Sequence, residues 1–352
     1  MDNQNNQAHI NSIYSPLQSK INIQNFNLSY LQNTLFFSYG RYAILKALEL
    51  LKIEPGNIVL VPEFICVEAL SAFYTKKCNI KLYPINHDLS IDINKIDFLD
   101  AKIFFFANYF GFTQQINELK NICRHKNITM IEDNAHGFLS KDESGTYLGT
   151  RCDLGIFSFR KTIPAPNGGG LYFNPNSISL NINSLNKQNI SNKSTSFKIK
   201  NSLRHLTPII GAKGWIKSIM ISRKFKKLLL GYEIPKTNEE ELYFLKNEVN
   251  RCEIENYIAN VDIITEIERR RNLYKIFENK LIKIGAISIF KELPVNTSPY
   301  VYPFYYNNDE HYNKINKLLH SLGAEAFKWP ELPKSQMHKE KYQHIGCVRF
   351  LW

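Results

Sequence analysis

From about residue 35 to residue 175, short apolar runs alternate with longer segments whose apolar residues recur at helical spacing. LFFS (35–38) reads as a strand and RYAILKALELLKI (41–53) as a helix ended by Pro55-Gly56. NIVLVP (57–62) reads as a buried strand and FICVEALSAFYTKK (64–77) as a helix. IKLYPI (80–85) and KIFFFANYF (102–110) are strands, INELKNICRHKN (116–127) is a helix, and ITMIED (128–133) is a strand. LGIFSF (154–159) and GGLYFN (169–174) close the series. Strands that alternate with helices imply an α/β fold, with a mainly parallel sheet between helices. In such sheets a ligand lies beyond the carboxyl ends of the strands.

The rest of the chain has a different texture. Residues 1–34 read as an N-terminal arm, residues 35–238 as a large domain, and residues 239–352 as an interdomain helix with a small C-terminal α/β domain. Residues 174–200 are rich in Asn, Ser and Lys and read as a loop. Residues 201–231 carry GWIKSIMISRKFKKLLLG, either a helix with a solvated basic face or a patch that lies on a membrane surface. A long helical pattern spans roughly 239–284, and YVYPFYY (300–306) reads as a strand.

Composition narrows the function classes. At 352 residues with 44% hydrophobic and 22% charged side chains, the chain reads as an ordinary globular protein. No apolar run is long enough to span a membrane, and MDNQNNQAHINS lacks the apolar core of a signal peptide. The six cysteines form no CxxC and read as reduced thiols in a cytoplasmic protein, with no metal site. The net charge of +12 invites nucleic acid, but the lysines are dispersed and no zinc-finger or RNA-binding signature is present, so no nucleic acid is expected. An anionic small substrate suits a positive field equally well.

Four features fall at strand ends. Ser38-Tyr39-Gly40-Arg41 sits at a strand-to-helix junction, where free backbone N–H groups attract phosphate. Asp133 and His136, in IEDNAHG, follow an apolar strand. Asp133 reads either as a carboxylate awaiting a cationic partner or as a cap for the next turn. Ser158-Phe159-Arg160-Lys161 offers a lysine that, if desolvated, becomes a nucleophilic amine; a solvent-facing hairpin is the alternative. Gly168-Gly169-Gly170 lets backbone pass close to a cofactor or to another chain.

Taken in order, these motifs resemble the DegT/DnrJ/EryC1/StrS sugar aminotransferase family, pyridoxal-phosphate enzymes of the aspartate-aminotransferase fold. The resemblance runs from about residue 35 to 175 and extends into ERRRNLYKIFENKL (268–281), which is similar to the family's interdomain helix. It implies a seven-stranded large-domain sheet and pyridoxal 5'-phosphate as cofactor. It assigns Lys161 as the lysine that bonds the cofactor and shuttles the proton, and Asp133 as partner of the protonated ring nitrogen. His136, where the family usually has glutamine, would lie near the phenolic oxygen. Gly40, Arg41 and Ser158 would hold the phosphate, and Asn108 matches a position facing the site. The family's ring-stacking aromatic corresponds to Cys66, with Phe64 as the candidate replacement. Ser158 and Lys161 are three apart where the family has five, an inferred two-residue shortening. The resemblance implies amino transfer, with glutamate as donor, to a nucleotide-linked keto-sugar by a homodimer. Sugar dehydration, another reaction of the same fold, and a non-catalytic homologue are the alternatives.

Overall fold

The computed structural model describes residues 2–13, 28–178, 195–204, 206–230, 254–329, 332 and 340–350. An N-terminal helix α1 (Asp2–Asn11) precedes strand β1 (Thr34–Phe37), helix α2 (Gly40–Leu50) and strand β2 (Ile58–Pro62). Helix α3 (Val67–Thr75), strand β3 (Asn79–Tyr83), strand β4 (Ala101–Ala107), helix α4 (Asn117–His125) and strand β5 (Thr129–Asn134) follow. Strands β6 (Leu154–Phe157) and β7 (Gly169–Phe173) complete the first sheet.

That sheet has seven strands in the order β1-β7-β6-β5-β4-β2-β3. Only β7 runs against its neighbours, so β1, β2, β4, β5 and β6 all end at one edge. The central strands are apolar on both faces because both faces are covered. Val59, Val61, Ile103 and Phe105 pack with Ala43, Ile44, Leu48 and Phe73 of α2 and α3. Leu60, Phe104 and Phe106 face the other way, toward Leu119 and Cys123 of α4.

Local chemistry sets the element ends. Helix α2 stops where Lys52 turns left-handed (φ 52°) and the Ile53 N–H reaches back to the Leu48 carbonyl (2.9 Å); Pro55-Gly56 then turns the chain into β2. The helix expected over 64–77 begins only at Val67, because Cys66 is extended at its N-cap (φ −67°, ψ 134°). Phe64 to Cys66 therefore leave the end of β2 as a non-helical run.

Part of the segment read as a loop over 174–200 is helical: α5 (Thr195–Arg204). Helix α6 (Thr207–Leu230) bears the basic sequence and is kinked at Gly211 (φ 64°, ψ 167°). The single long helix expected over 239–284 is, where described, two helices, α7 (Ile254–Ala259) and α8 (Ile263–Ile282); residues 239–253 lie outside the described residues. The break has a local cause: the Asp262 carboxylate accepts the Thr265 N–H (3.1 Å) and starts a new helix.

Strands β8 (Ile287–Ser288) and β9 (Val301–Tyr305), helix α9 (Asp309–Leu322), and strands β10 (Ala326–Lys328) and β11 (Ile345–Arg349) build the second unit. Its four strands are antiparallel in the order β10-β11-β9-β8. Helix α6 packs against α9 of this unit and against α1.

Candidate active site

The shared strand edge opens into a cavity of about 430 Å³. Gly40, Arg41, Phe64, Asn108, Asp133, His136, Ser158 and Lys161, the residues singled out from the sequence, all line it. Asp133 stands opposite Ala107 of β4 and Ile156 of β6, so three parallel strands present their ends together.

Lys161 sits on a single 3₁₀ turn, Phe159–Lys161, directly after β6. The backbone beneath it is pinned by packing: the Phe157 and Phe159 rings stack 5.5 Å apart, and Phe138 meets Phe159 edge-on at 4.8 Å. The solvent-facing hairpin is thus not what forms; Lys161 is partly buried, with its Nζ 5.6 Å from the Trp329 ring centroid and 5.9 Å from that of Tyr300. Burial lowers its pKa from the ordinary 10.5; the neighbouring Cys66 and Asp133 oppose this and Arg160 adds to it.

His136 lies between two rings, with Tyr300 at 4.8 Å and Phe110 at 5.6 Å, both stacked nearly parallel to it. Its Nε2 is 3.1 Å from Lys161 Nζ, and its Nδ1 accepts the Phe110 N–H at 3.3 Å. Asp133 accepts the Ala135 N–H (2.9 Å). Burial raises its pKa, opposed by that hydrogen bond and by the Lys161 charge.

The other end of the cavity is cationic. Arg41 and Arg160 flank the Tyr39 ring, at 5.0 and 5.4 Å, and the buried Nε of each has no hydrogen-bond partner. Helix α2 starts beside them without a side-chain cap. Buried donors without partners are costly, and a helix N-terminus favours negative charge, so this end is built for an anion.

The remaining residues are placed as follows. The Phe64 ring lines the cavity but is packed against Tyr342 (4.8 Å) and Tyr109 (5.4 Å). Asn108 donates to Glu132 (2.7 Å) and accepts from Arg151 (3.1 Å), so its amide is engaged in the floor beneath the cavity. Glu132 and Arg151 form a buried ion pair at 2.6 Å. The glycine run packs on its own chain: a Cβ on Gly169 would lie 2.3 Å from the Tyr39 carbonyl carbon, and one on Gly170 2.7 Å from the Phe159 ring. These glycines let β7 pass under the β1–α2 junction, which positions Gly40 and Arg41.

Sequence reasoning missed Tyr300 and Trp329, which approach Lys161 from the second unit, and the anion-facing Arg160 as part of the site. It also missed what ties the units together. Fully buried Arg270 on α8 donates to the carbonyls of Thr162 (2.7 Å) and Tyr300 (3.1 Å) and pairs with Glu266 (2.5 Å). The charged run ERRRN in the matched helix segment was the available signal.

Comparisons with known proteins agree with this architecture. The model of the DegT/DnrJ/EryC1/StrS aminotransferase family matches residues 30–228. A dTDP-4-dehydro-2,3,6-trideoxy-D-glucose 4-aminotransferase from Saccharopolyspora spinosa is 26% identical over 148 residues, 40% of this chain and 38% of that relative. The matched segment thus spans well under half of the relative's length. A DegT DnrJ EryC1 StrS aminotransferase from Brucella abortus superposes with a TM-score of 0.59 at 14% identity, covering 99% of this chain and 91% of the other. GDP-4-keto-6-deoxy-D-mannose-3-dehydratase of E. coli, solved with bound hydrated PLP, superposes at 0.54 with 14% identity, over 90% and 82% of the two chains. At such identities these superpositions speak for the fold, while the family model covers more than half of the chain: it belongs to the DegT/DnrJ/EryC1/StrS aminotransferase family.

Proposed function

We propose that the chain is a pyridoxal-phosphate-dependent aminotransferase that transfers an amino group from glutamate to a nucleotide-linked keto-sugar, in the biosynthesis of a surface polysaccharide or other glycan. One observation carries the reading: an enclosed amine, Lys161, a strand-end carboxylate, Asp133, and two unpartnered guanidinium nitrogens, on Arg41 and Arg160, surround one cavity.

These residues fit the cofactor. The anion end, with Gly40, Arg41 and Ser158, suits a phosphate. Asp133 suits a protonated ring nitrogen, and a cation there offsets the cost of burying its carboxylate. When bound, pyridoxal phosphate supplies the electron sink that lets an amine-bearing carbon lose its proton. Lys161, held as free amine, provides the covalent attachment and the base that takes up and returns that proton. His136 contacts the lysine amine and would lie near the phenolic oxygen of the bound cofactor. Phe64 walls the cavity, and Asn108 holds its floor through Glu132 and Arg151.

The substrate class rests on the family and on the curated relative named for amination of a nucleotide sugar. A cytoplasmic homodimer belongs to the same reading; no described helix is long and apolar enough to cross a membrane. Elimination of a sugar hydroxyl is the second reading, since the fold is also that of a GDP-4-keto-6-deoxy-D-mannose-3-dehydratase from E. coli.

Given pyridoxal phosphate and L-glutamate without sugar, the protein is expected to release one equivalent of 2-oxoglutarate per site while its visible band shifts. Borohydride reduction beforehand should leave the label on a peptide containing residue 161. Bound cofactor without 2-oxoglutarate would overturn amino transfer from glutamate, and a label on another lysine would remove Lys161 from its role.

A further inference from the structure

The net positive charge of this chain comes from one segment. Residues 154–232 contain thirteen of the 44 Lys and Arg and none of the 32 Asp and Glu, leaving 31 against 32 elsewhere. Nine of the thirteen fall between Thr195 and Leu230, in α5 and α6.

Helix α6 beyond the Gly211 kink has two faces. Ala212, Trp215 and Ile216 are buried. On the opposite side Ser218, Ile221, Phe225 and Leu228 recur at intervals of three and four residues, which places them on one stripe. Ile221 is 65% exposed, Phe225 63% and Leu228 87%. Lys213, Lys217 and Lys224 are exposed and border this stripe, whereas Arg223 points back to pair with Glu325. Ile209, just before the kink, is 83% exposed. None of these residues lines the cavity.

We infer that α6 docks this protein on an anionic lipid bilayer surface, with Ile221, Phe225 and Leu228 entering the headgroup–acyl boundary and the bordering lysines meeting lipid phosphates. Charge complementarity selects this occupant. A second copy of the chain would bring an equally acid-free, lysine-rich face against this one, and like charges would repel. Nucleic acid would use the lysines but leave three large apolar side chains in water. An anionic bilayer satisfies both: each basic residue near such a surface adds attraction, and apolar side chains gain by leaving water.

The test is flotation of the full chain, loaded with pyridoxal phosphate, with phosphatidylcholine vesicles with or without about one third phosphatidylglycerol. Expected is binding to the anionic vesicles alone, weakening as salt rises. The double variant Ile221→Ser/Phe225→Ser should partition at least about tenfold less, with unchanged visible absorbance and sedimentation coefficient. Should that variant misfold, Lys217→Glu/Lys224→Glu, which alters exposed charges only, should lose the same binding. The proposal is overturned if the wild type ignores anionic vesicles or if the serine variant binds them equally well. It is also overturned if the serine variant turns a dimer into a monomer, or if a single-stranded DNA oligonucleotide competes the protein off vesicles.

Discussion

Lys161 and His136 meet side chain to side chain, Nζ to Nε2 at 3.1 Å, and the Phe110 N–H donates to the ring's other nitrogen at 3.3 Å. The second contact decides the first. An accepting Nδ1 leaves the proton of a neutral imidazole on Nε2. The ring is neutral because burial holds its pKa well below 6.5. Nε2 is therefore the proton-bearing nitrogen and faces Lys161 Nζ, a contact that works in the same direction as burial and favours the free amine, the form a nucleophile needs.

His136→Leu removes the acceptor for the buried Phe110 N–H as well as the donor to Lys161. A loss of about 1–3 kcal/mol is expected in urea unfolding, whereas His136→Gln, which keeps one donor and one acceptor, should stay within about 1 kcal/mol.

The lysine also leaves a signature in stability against pH. Its folded pKa lies below 10.5, so between those two values the unfolded chain binds more protons and stability rises with pH. Below the folded pKa both states are protonated and the cost of burying the charge is fully present. Lys161→Met has nothing to titrate: it should start more stable, and its advantage should shrink as pH rises through this window, by about 1.4 kcal/mol for each pH unit the window spans. A constant difference between the two proteins would mean that the amine is not desolvated.

Asp133→Asn preserves shape and removes charge. Cofactor should still bind, but turnover should fall by about 10²-fold or more, because a neutral amide no longer holds positive charge on the ring nitrogen. Steady-state kinetics beside a binding isotherm separates the two effects.

Arg41→Ala and Arg160→Ala each remove a guanidinium from the anion end of the cavity. Affinity for pyridoxal phosphate, read by fluorescence quenching, should drop about 10–100-fold for each, the equivalent of one charged hydrogen bond. Arg41→Lys should recover only part of this, since an ammonium lacks the planar fork.

Arg270 is fully buried, and its loss takes one guanidinium partner from Glu266, which keeps Arg269. Arg270→Ala should destabilise the protein by about 3–5 kcal/mol in chemical unfolding. It should also loosen cofactor binding, because Thr162, next to Lys161, and Tyr300 lose their common anchor.

The sequence by itself determined the order of strands and helices from residue 35 to 175, and with it the strand ends that carry Asp133, Ser158 and Lys161. These are local matters: period two or 3.6 in the apolar residues, a helix N-terminus at Gly40, and side chains confined to the ends of buried runs. The tertiary structure decided what no local pattern encodes. The glycine run was legible as a place of close approach, yet only the pairing of β7 with β1 and β6 shows that it passes beneath Tyr39 and Phe159. Tyr300 and Trp329 looked like ordinary aromatics of a small domain until folding set them beside Lys161. The lysine's basicity was likewise not readable from its neighbours in the chain. Desolvation depends on the groups that enclose the amine, and here those include side chains from the ends of β4 and β5, from Cys66 and from the second unit, brought together only when the two units close over one strand edge.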